Sequence, residues 1–320
     1  MSMNTFMRER VRRAAPWWAK GALKLVLAKV PLGYSLLHKL ALARHGGMEN
    51  PAWALDAFLR HYDNADFARK AAGGFTVLEL GPGDSLFNAI IARAYGAAST
   101  TLLDVGPFAN TDLRLYRQMA DHLRGKGLDA PDLSAAQSIG DVLGACNARY
   151  ETRGIASLRE LPSESFDFVF SNGVIQSVWR DEVPETLRHL RRVVRPDGTT
   201  VHSIDLRDTM GQSLNHLRFS EKRWESDWFR KAGFYTNRLR VSEIVRLGRE
   251  AGFEPDLDEV NRWPQIPVAR RKLDAAYQSA PDEDLLVATI RIILRPAGQA
   301  TGAAAAAERE TAETAGGVTA

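Results

Sequence analysis

Cysteine is almost missing from this sequence. Cys146 stands alone among 320 residues. That excludes an internal disulfide framework and any metal site built from several thiolates. The histidines are scattered without ligand spacing, so no metal is implied. A long apolar run is also missing. No stretch approaches the roughly 18 uninterrupted apolar residues of a membrane-spanning helix. Arg8 to Arg13 resemble a secretory n-region, but Lys20, Lys24 and Lys29 interrupt the apolar segment that should follow. Nor does one sign of charge dominate. The formal net charge is +3, too small to point to nucleic acid as a partner. What remains is an ordinary globular composition, 45% hydrophobic and 25% charged. The length allows one large α/β domain with appendages, or two small domains. With no disulfides, a reducing, cytoplasmic compartment is the simple reading.

Against this background one stretch carries information: Phe75-Thr-Val-Leu-Glu-Leu-Gly-Pro-Gly-Asp-Ser85. Val77, Leu78 and Leu80 read as a short buried strand. The chain then breaks at Gly81-Pro82-Gly83. Leu86, Phe87, Ile90, Ile91 and Ala94 follow at helical spacing. Glycines without a Cβ let a ligand lie against the backbone, and a helix start offers unpaired N–H groups. A dinucleotide fingerprint needs a third glycine where Leu86 stands, so that pattern fails. Ser99 to Asp104 read as a second strand ending in an acid. A carboxylate there accepts hydrogen bonds from both hydroxyls of an adenosine ribose. Asp104 therefore suits a nucleoside, whichever cofactor class carries it; a loop-starting aspartate that caps the next element is the plainer reading.

Further along, Phe166 to Ser171 is a strand, and Asp181 to Arg195 an amphipathic helix with Pro184 in its first turn. Arg188, Arg191, Arg192 and Arg195 are expected to form a solvated face. Thr199 to Asp205 is a fifth strand, closed by Asp205-Leu-Arg-Asp208. Residues 48–72 and 128–147 are expected to be helical. A weak third strand is expected at 148–152, a sixth at 253–260 and a final one at 285–294.

The Glu79-Leu-Gly-Pro-Gly-Asp-Ser85 segment resembles the first motif of the class I S-adenosylmethionine (SAM) dependent methyltransferases. Leu161-Pro-Ser-Glu-Ser-Phe-Asp-Phe-Val-Phe-Ser-Asn172 resembles their fourth-strand motif. The Arg195-Pro-Asp-Gly198 turn into strand five is also typical of them. The resemblance covers roughly residues 72–295. It implies a Rossmann-like, doubly wound α/β sheet of seven strands in the order 3-2-1-4-5-7-6. It also implies SAM as cofactor, held by Glu79, Gly81, Gly83, Asp84, Asp104, Val105, Ser157, Ser171 and Asn172, with Val105 against the adenine. Three departures stand out. Ser85 replaces a third glycine. Ser157-Leu158 replace an acid–alanine pair that holds the adenine amino group. Gln176-Ser177 replace a Glu–His pair that offers a base. Asp205, Arg207 and Asp208 lie where the substrate approaches, and a carboxylate there can take a proton from the nucleophile.

The domain reading is a basic helical leader at 1–47, a methyltransferase domain at 48–298 with a cap insertion at about 209–240, and a disordered, low-complexity tail at 299–320. The cap mixes Trp224, Trp228, Phe229, Phe234 and Tyr235 with arginines. The combination of Asp205-Leu-Arg-Asp208 with Tyr235-Thr-Asn-Arg-Leu-Arg240 resembles that of bacterial methyltransferases linked to surface polysaccharide, so the acceptor is expected to be a small molecule or glycan. In the leader, Trp17, Trp18 and leucines alternate with Arg and Lys. Two readings stand: contact with the inner membrane face through residues 8–44, or helices that cover the catalytic domain. Function likewise has two readings. One is methyl transfer to O or N of a saccharide or lipid-linked saccharide. The other is a non-catalytic SAM-binding domain held at a membrane or partner by the leader.

Overall fold

The structure is a computed structural model and describes residues 16–27 and 49–298. The tail from 299, and most of the leader, lie outside the described residues. Helix α1 (Trp17–Leu27) is the described part of the leader. Helix α2 (Pro51–Tyr62) starts where Asn50 accepts the N–H groups of Ala52 and Trp53 at 3.0 and 3.2 Å, an N-cap followed by proline at the first helical position. Residues 63–72 turn rather than continue the helix, and Lys70 donates its ammonium to the carbonyls of Tyr62 and Ala65 there.

The sheet begins with β1 (Thr76–Leu80), then α3 (Phe87–Ala94), β2 (Ser99–Leu103) and α4 (Leu113–Gly125). The expected helix across 128–147 shrinks to α5 (Ile139–Ala145). Its start is fixed by a capping box between Ser138 and Asp141. The chain before it is irregular, held by Arg117 on the carbonyls of Leu133 and Ala136. Then come β3 (Ala148–Glu151), α6 (Ile155–Glu160), β4 (Phe166–Asn172), α7 (Val183–Val193) and β5 (Val194–Asp205). The insertion after β5 contains two one-turn helices, α8 (Glu221–Trp224) and α9 (Asp227–Arg230). Helix α10 (Val241–Glu250), β6 (Phe253–Arg262) and β7 (Val287–Pro296) complete the domain.

The strand order is β3-β2-β1-β4-β5-β7-β6. The first five strands run parallel, and β7 is antiparallel to both β5 and β6. This is the expected seven-stranded, doubly wound fold. Side chains alternate across it. Val77, Phe168, Phe170 and Val201 pack against α2 to α5, while Leu78, Leu80 and Val169 pack with α6, α7 and α10. The arginines of α7 and the start of β5 do not all face solvent. Arg192 donates to the carbonyls of Leu158 and Leu161, and Arg195 lies 3.2 Å from the buried Asp167. Asp167 in turn accepts Thr76 N–H at 2.8 Å. It locks the starts of β1 and β4, far from the end where ligands bind.

A cavity at the ends of the strands

Parallel strands β1, β2 and β4 finish side by side, and a cavity of about 580 Å³ opens beyond their C-terminal ends, the crevice where doubly wound sheets take ligands. Its size suits a small organic ligand. Gly81 and Gly83 form the floor, both with φ of +64°. Left-handed backbone of that kind favours glycine. At Gly81 a Cβ would stand 2.4 Å from Val174 Cγ2, so the turn also packs against the loop after β4.

Asp104 and Val105 come from the end of β2. Asp104 Oδ2 accepts Gly83 N–H at 2.9 Å, and its carbonyl accepts Gly154 N–H at 2.8 Å. One residue thus joins the glycine turn to the loop after β3. Val105 is 76% exposed and forms part of the rim. Asn172 borders the cavity from the end of β4.

The remaining sequence candidates stand back from this lining. Glu79 is buried behind the turn, on the α3 side of the sheet. Its Oε1 accepts from Asn88 Nδ2 at 2.7 Å, and its Oε2 has no hydrogen-bond partner. Burial pushes its carboxyl up to about 8; the Asn88 bond opposes this and the Asp104 charge adds to it. Asp84 is buried in the turn, and its carbonyl accepts Asn110 N–H at 2.8 Å. Ser157 is turned inward and accepts Arg153 N–H at 3.3 Å. Ser171 Oγ is buried, 2.8 Å from His202 Nδ1. Burial holds that imidazole down at about 3.

The three polar candidates at the end of β5 have other partners. Asp205 and Arg207 pair with each other at 2.8 Å. Asp208 is 1% exposed. Its carboxylate accepts the N–H groups of Met210, Gly211, Ser213 and Asn215. That geometry fixes the entry to the cap. A proton acceptor so fully committed has little capacity left for a substrate.

Sequence reasoning passed over much of the wall. Gly154 and Ile155 border the cavity after β3, and Val174, Val178, Trp179, Glu182 and Thr186 border it between β4 and α7; Leu158 and Ser177, noted in the sequence only as departures from the family's motifs, line the same wall. Gly154 has φ of +54°, a requirement that a single sequence does not display. Glu182 is a carboxylate on this wall. Burial raises its pKa, and the charges of Asp181 and Glu185 add to the effect. Among the described residues no group of His, Cys, Asp or Glu is arranged to hold a metal ion.

Helix α1 lies on the cap. Trp17 meets Phe219 edge-on at 6.2 Å, Arg218 sits over the Trp17 ring at 5.1 Å, and Trp228 Nε1 donates to Leu25 O at 3.2 Å. No helix among the described residues is long and apolar enough to cross a membrane.

Comparison with known proteins gives three findings. A family described as "Methyltransferase domain" matches residues 4–257. The malonyl-[acyl-carrier protein] O-methyltransferase of Halorhodospira halophila is 26% identical over 168 residues, covering 49% of this chain and 48% of that protein. The chain thus matches about half the length of that relative. Two solved structures are similar to it. One is an arsenic (III) S-adenosylmethionine methyltransferase from Chlamydomonas reinhardtii, at 21% identity, TM-score 0.42, covering 73% of this chain and 68% of that one. The other is a SAM-dependent methyltransferase from Mesorhizobium loti, at 19% identity, TM-score 0.38, covering 77% and 98%.

Proposed function

The chain belongs to the SAM-dependent methyltransferases; we propose that it methylates an oxygen or nitrogen of a saccharide or lipid-linked saccharide. SAM is the cofactor, and the residues present suit it. Gly81 and Gly83 let a ligand press on the turn. Asp104, tied to that turn at 2.9 Å, offers its carboxylate to the ribose hydroxyls. Val105 and Ile155 border the same space as apolar neighbours for the adenine. The observation that carries the reading is this convergence of the glycine turn, Asp104 and the β4 end on one cavity of about 580 Å³.

When bound, SAM supplies an activated methyl group open to in-line displacement. The protein's contribution is then to orient the acceptor and exclude water, which by itself removes much of a bimolecular barrier. Glu182 is the carboxylate on the acceptor-facing wall. Its raised pKa suits it to receive the proton that the nucleophile releases.

Transfer of tritiated methyl groups from SAM into a bacterial extract tests the acceptor class. Label in a saccharide or glycolipid fraction is the expected result. Label confined to protein, nucleic acid or acyl thioesters would contradict it. Cofactor binding with no transfer into any fraction would favour the non-catalytic reading.

A further inference from the structure

Trp179 stands in the loop between β4 and α7. It borders the cavity, yet it is 39% exposed. Such a large apolar surface left open at a cavity mouth points to a ligand that covers it. The indole is also held with unusual care. The Arg230 guanidinium of α9 lies over its ring, 5.2 Å from the centroid. Arg230 is itself fixed by Asp181 at 3.0 Å and by Glu225 at 3.2 Å.

The flanking backbone is stitched to the cap as well. Arg180 N–H donates to Tyr235 Oη at 3.0 Å, and the Arg180 side chain donates to Asn237 O at 3.0 Å and pairs with Glu243. The buried Asn237 donates its side-chain amide to the carbonyls of Ile175 and Val178, at 2.7 and 3.2 Å. Its own N–H donates to Gln176 O at 2.8 Å. Ile175, Gln176, Val178, Arg180 and Asp181 are thus each bonded to the cap or the segment that follows it. The cap therefore acts on the cavity through this loop. It holds the loop that carries Trp179, whose ring has Arg230 over it and which borders the cavity.

We propose that Trp179 is the stacking platform for the methyl acceptor, and that the acceptor carries a hydroxyl on a ring with a flat apolar face. The proposal rests on the methyl-transfer reading and adds a requirement on the acceptor's shape, independent of whether that acceptor is a saccharide. A rigid indole recognises such a ring by covering its apolar face. Val174 and Val178 extend the apolar wall, while Ser177 and Glu182 offer a hydroxyl and a carboxylate to the ring's polar edge. Both a pyranose and a phenol have this shared chemistry. Arg230 and Asn237 are positioning residues, acting through the loop rather than on the acceptor.

The test uses the full chain with its seven tryptophans labelled with nitrogen-15 at the indole and saturated with S-adenosylhomocysteine. Loss of one signal in Trp179→Phe assigns the resonance. The probes are methyl α-D-glucopyranoside, methyl β-D-galactopyranoside and 4-hydroxybenzyl alcohol. At least one should shift the Trp179 signal, and the responding class separates sugar from phenol. Trp179→Ala should weaken that probe roughly tenfold, while Trp179→Phe retains most of the affinity. Probes that bind but move only other indoles would overturn the proposal, as would an absence of any probe binding to the loaded protein. Failure of S-adenosylhomocysteine itself to bind would instead sink the methyl-transfer reading.

Discussion

The carboxylate of Asp104 accepts the backbone N–H of Gly83 across 2.9 Å. The end of the second strand thereby holds the turn that closes the first, and both border the cavity. Replacing Asp104 by alanine removes the bond to the turn and the proposed acceptor for the ribose hydroxyls. SAM affinity should fall at least about tenfold, or roughly 1.4 kcal/mol, as read by titration calorimetry. Asp104→Asn keeps one acceptor oxygen and should lose less. Unchanged affinity in the alanine variant would move the ribose elsewhere.

Gly81 is constrained twice, by its φ of +64° and by Val174. Gly81→Ala should therefore cost about 1–2 kcal/mol of stability from backbone strain alone, with more from the clash. A double-mutant cycle separates the two terms. In a Val174→Ala background the clash is relieved, so Gly81→Ala should cost less. Equal cost in both backgrounds, by denaturant unfolding, would show that Val174 does not crowd the turn.

Much of this was legible in the sequence, because strand, glycine turn and helix are written locally. The strand order agrees with that reading, and Asp104 and Asn172 border the cavity. The rest depends on which way a side chain points. Glu79 shares the face of Val77, whereas Leu78 and Leu80 share the other. Alternation along β1 thus directs it to Asn88 of α3, a signal available in the strand's own period. For Asp208 no such signal existed. Its burial comes from a turn that folds back onto its carboxylate. The wall from Val174 to Thr186 was hidden for a similar reason: residues of the cap, distant in sequence, hold it in place.

Asp205 and Asp208 should behave differently when changed. Asp208→Ala leaves several buried N–H groups without an acceptor. It should destabilise the protein by about 2–4 kcal/mol. Asp205→Ala breaks a half-exposed pair with Arg207 and should cost about 0–1 kcal/mol. Thermal melts of the two variants check this. A small effect at Asp208 would contradict its part in holding the cap.

Buried ionisable groups set two opposing pH trends. Burial lowers His61 to about 4 and His202 to about 3, against an ordinary 6.5. The unfolded chain takes up those protons first, so stability is lost as pH falls below 6.5. Glu79 acts in the other direction. It stays protonated to about 8 when folded, against an ordinary 4.5. The unfolded chain releases that proton first, so stability is lost as pH rises from 4.5 to 8. Glu79→Gln should flatten this second trend. A stability difference from wild type that stays constant across the window would contradict it.

Helix α1 should support the cap. Trp17 and Leu25 border the cap's own core of Trp224, Phe229 and Phe234. Trp17→Ala should cost about 1 kcal/mol and increase amide exchange around Phe219. The proposed membrane contact rests on basic residues of the leader that lie largely outside the described residues. Liposome flotation of the full chain against one lacking residues 1–47 tests it separately. Equal recovery of both with anionic lipid would exclude the leader as a membrane anchor.

The most direct test of the site is a calorimetric titration of the full chain with SAM, S-adenosylhomocysteine and NAD, repeated with Asp104→Ala. SAM and its product should bind one molecule per chain and lose affinity in the variant, and NAD should not bind. Binding of NAD without SAM or S-adenosylhomocysteine would contradict the assignment of the cavity.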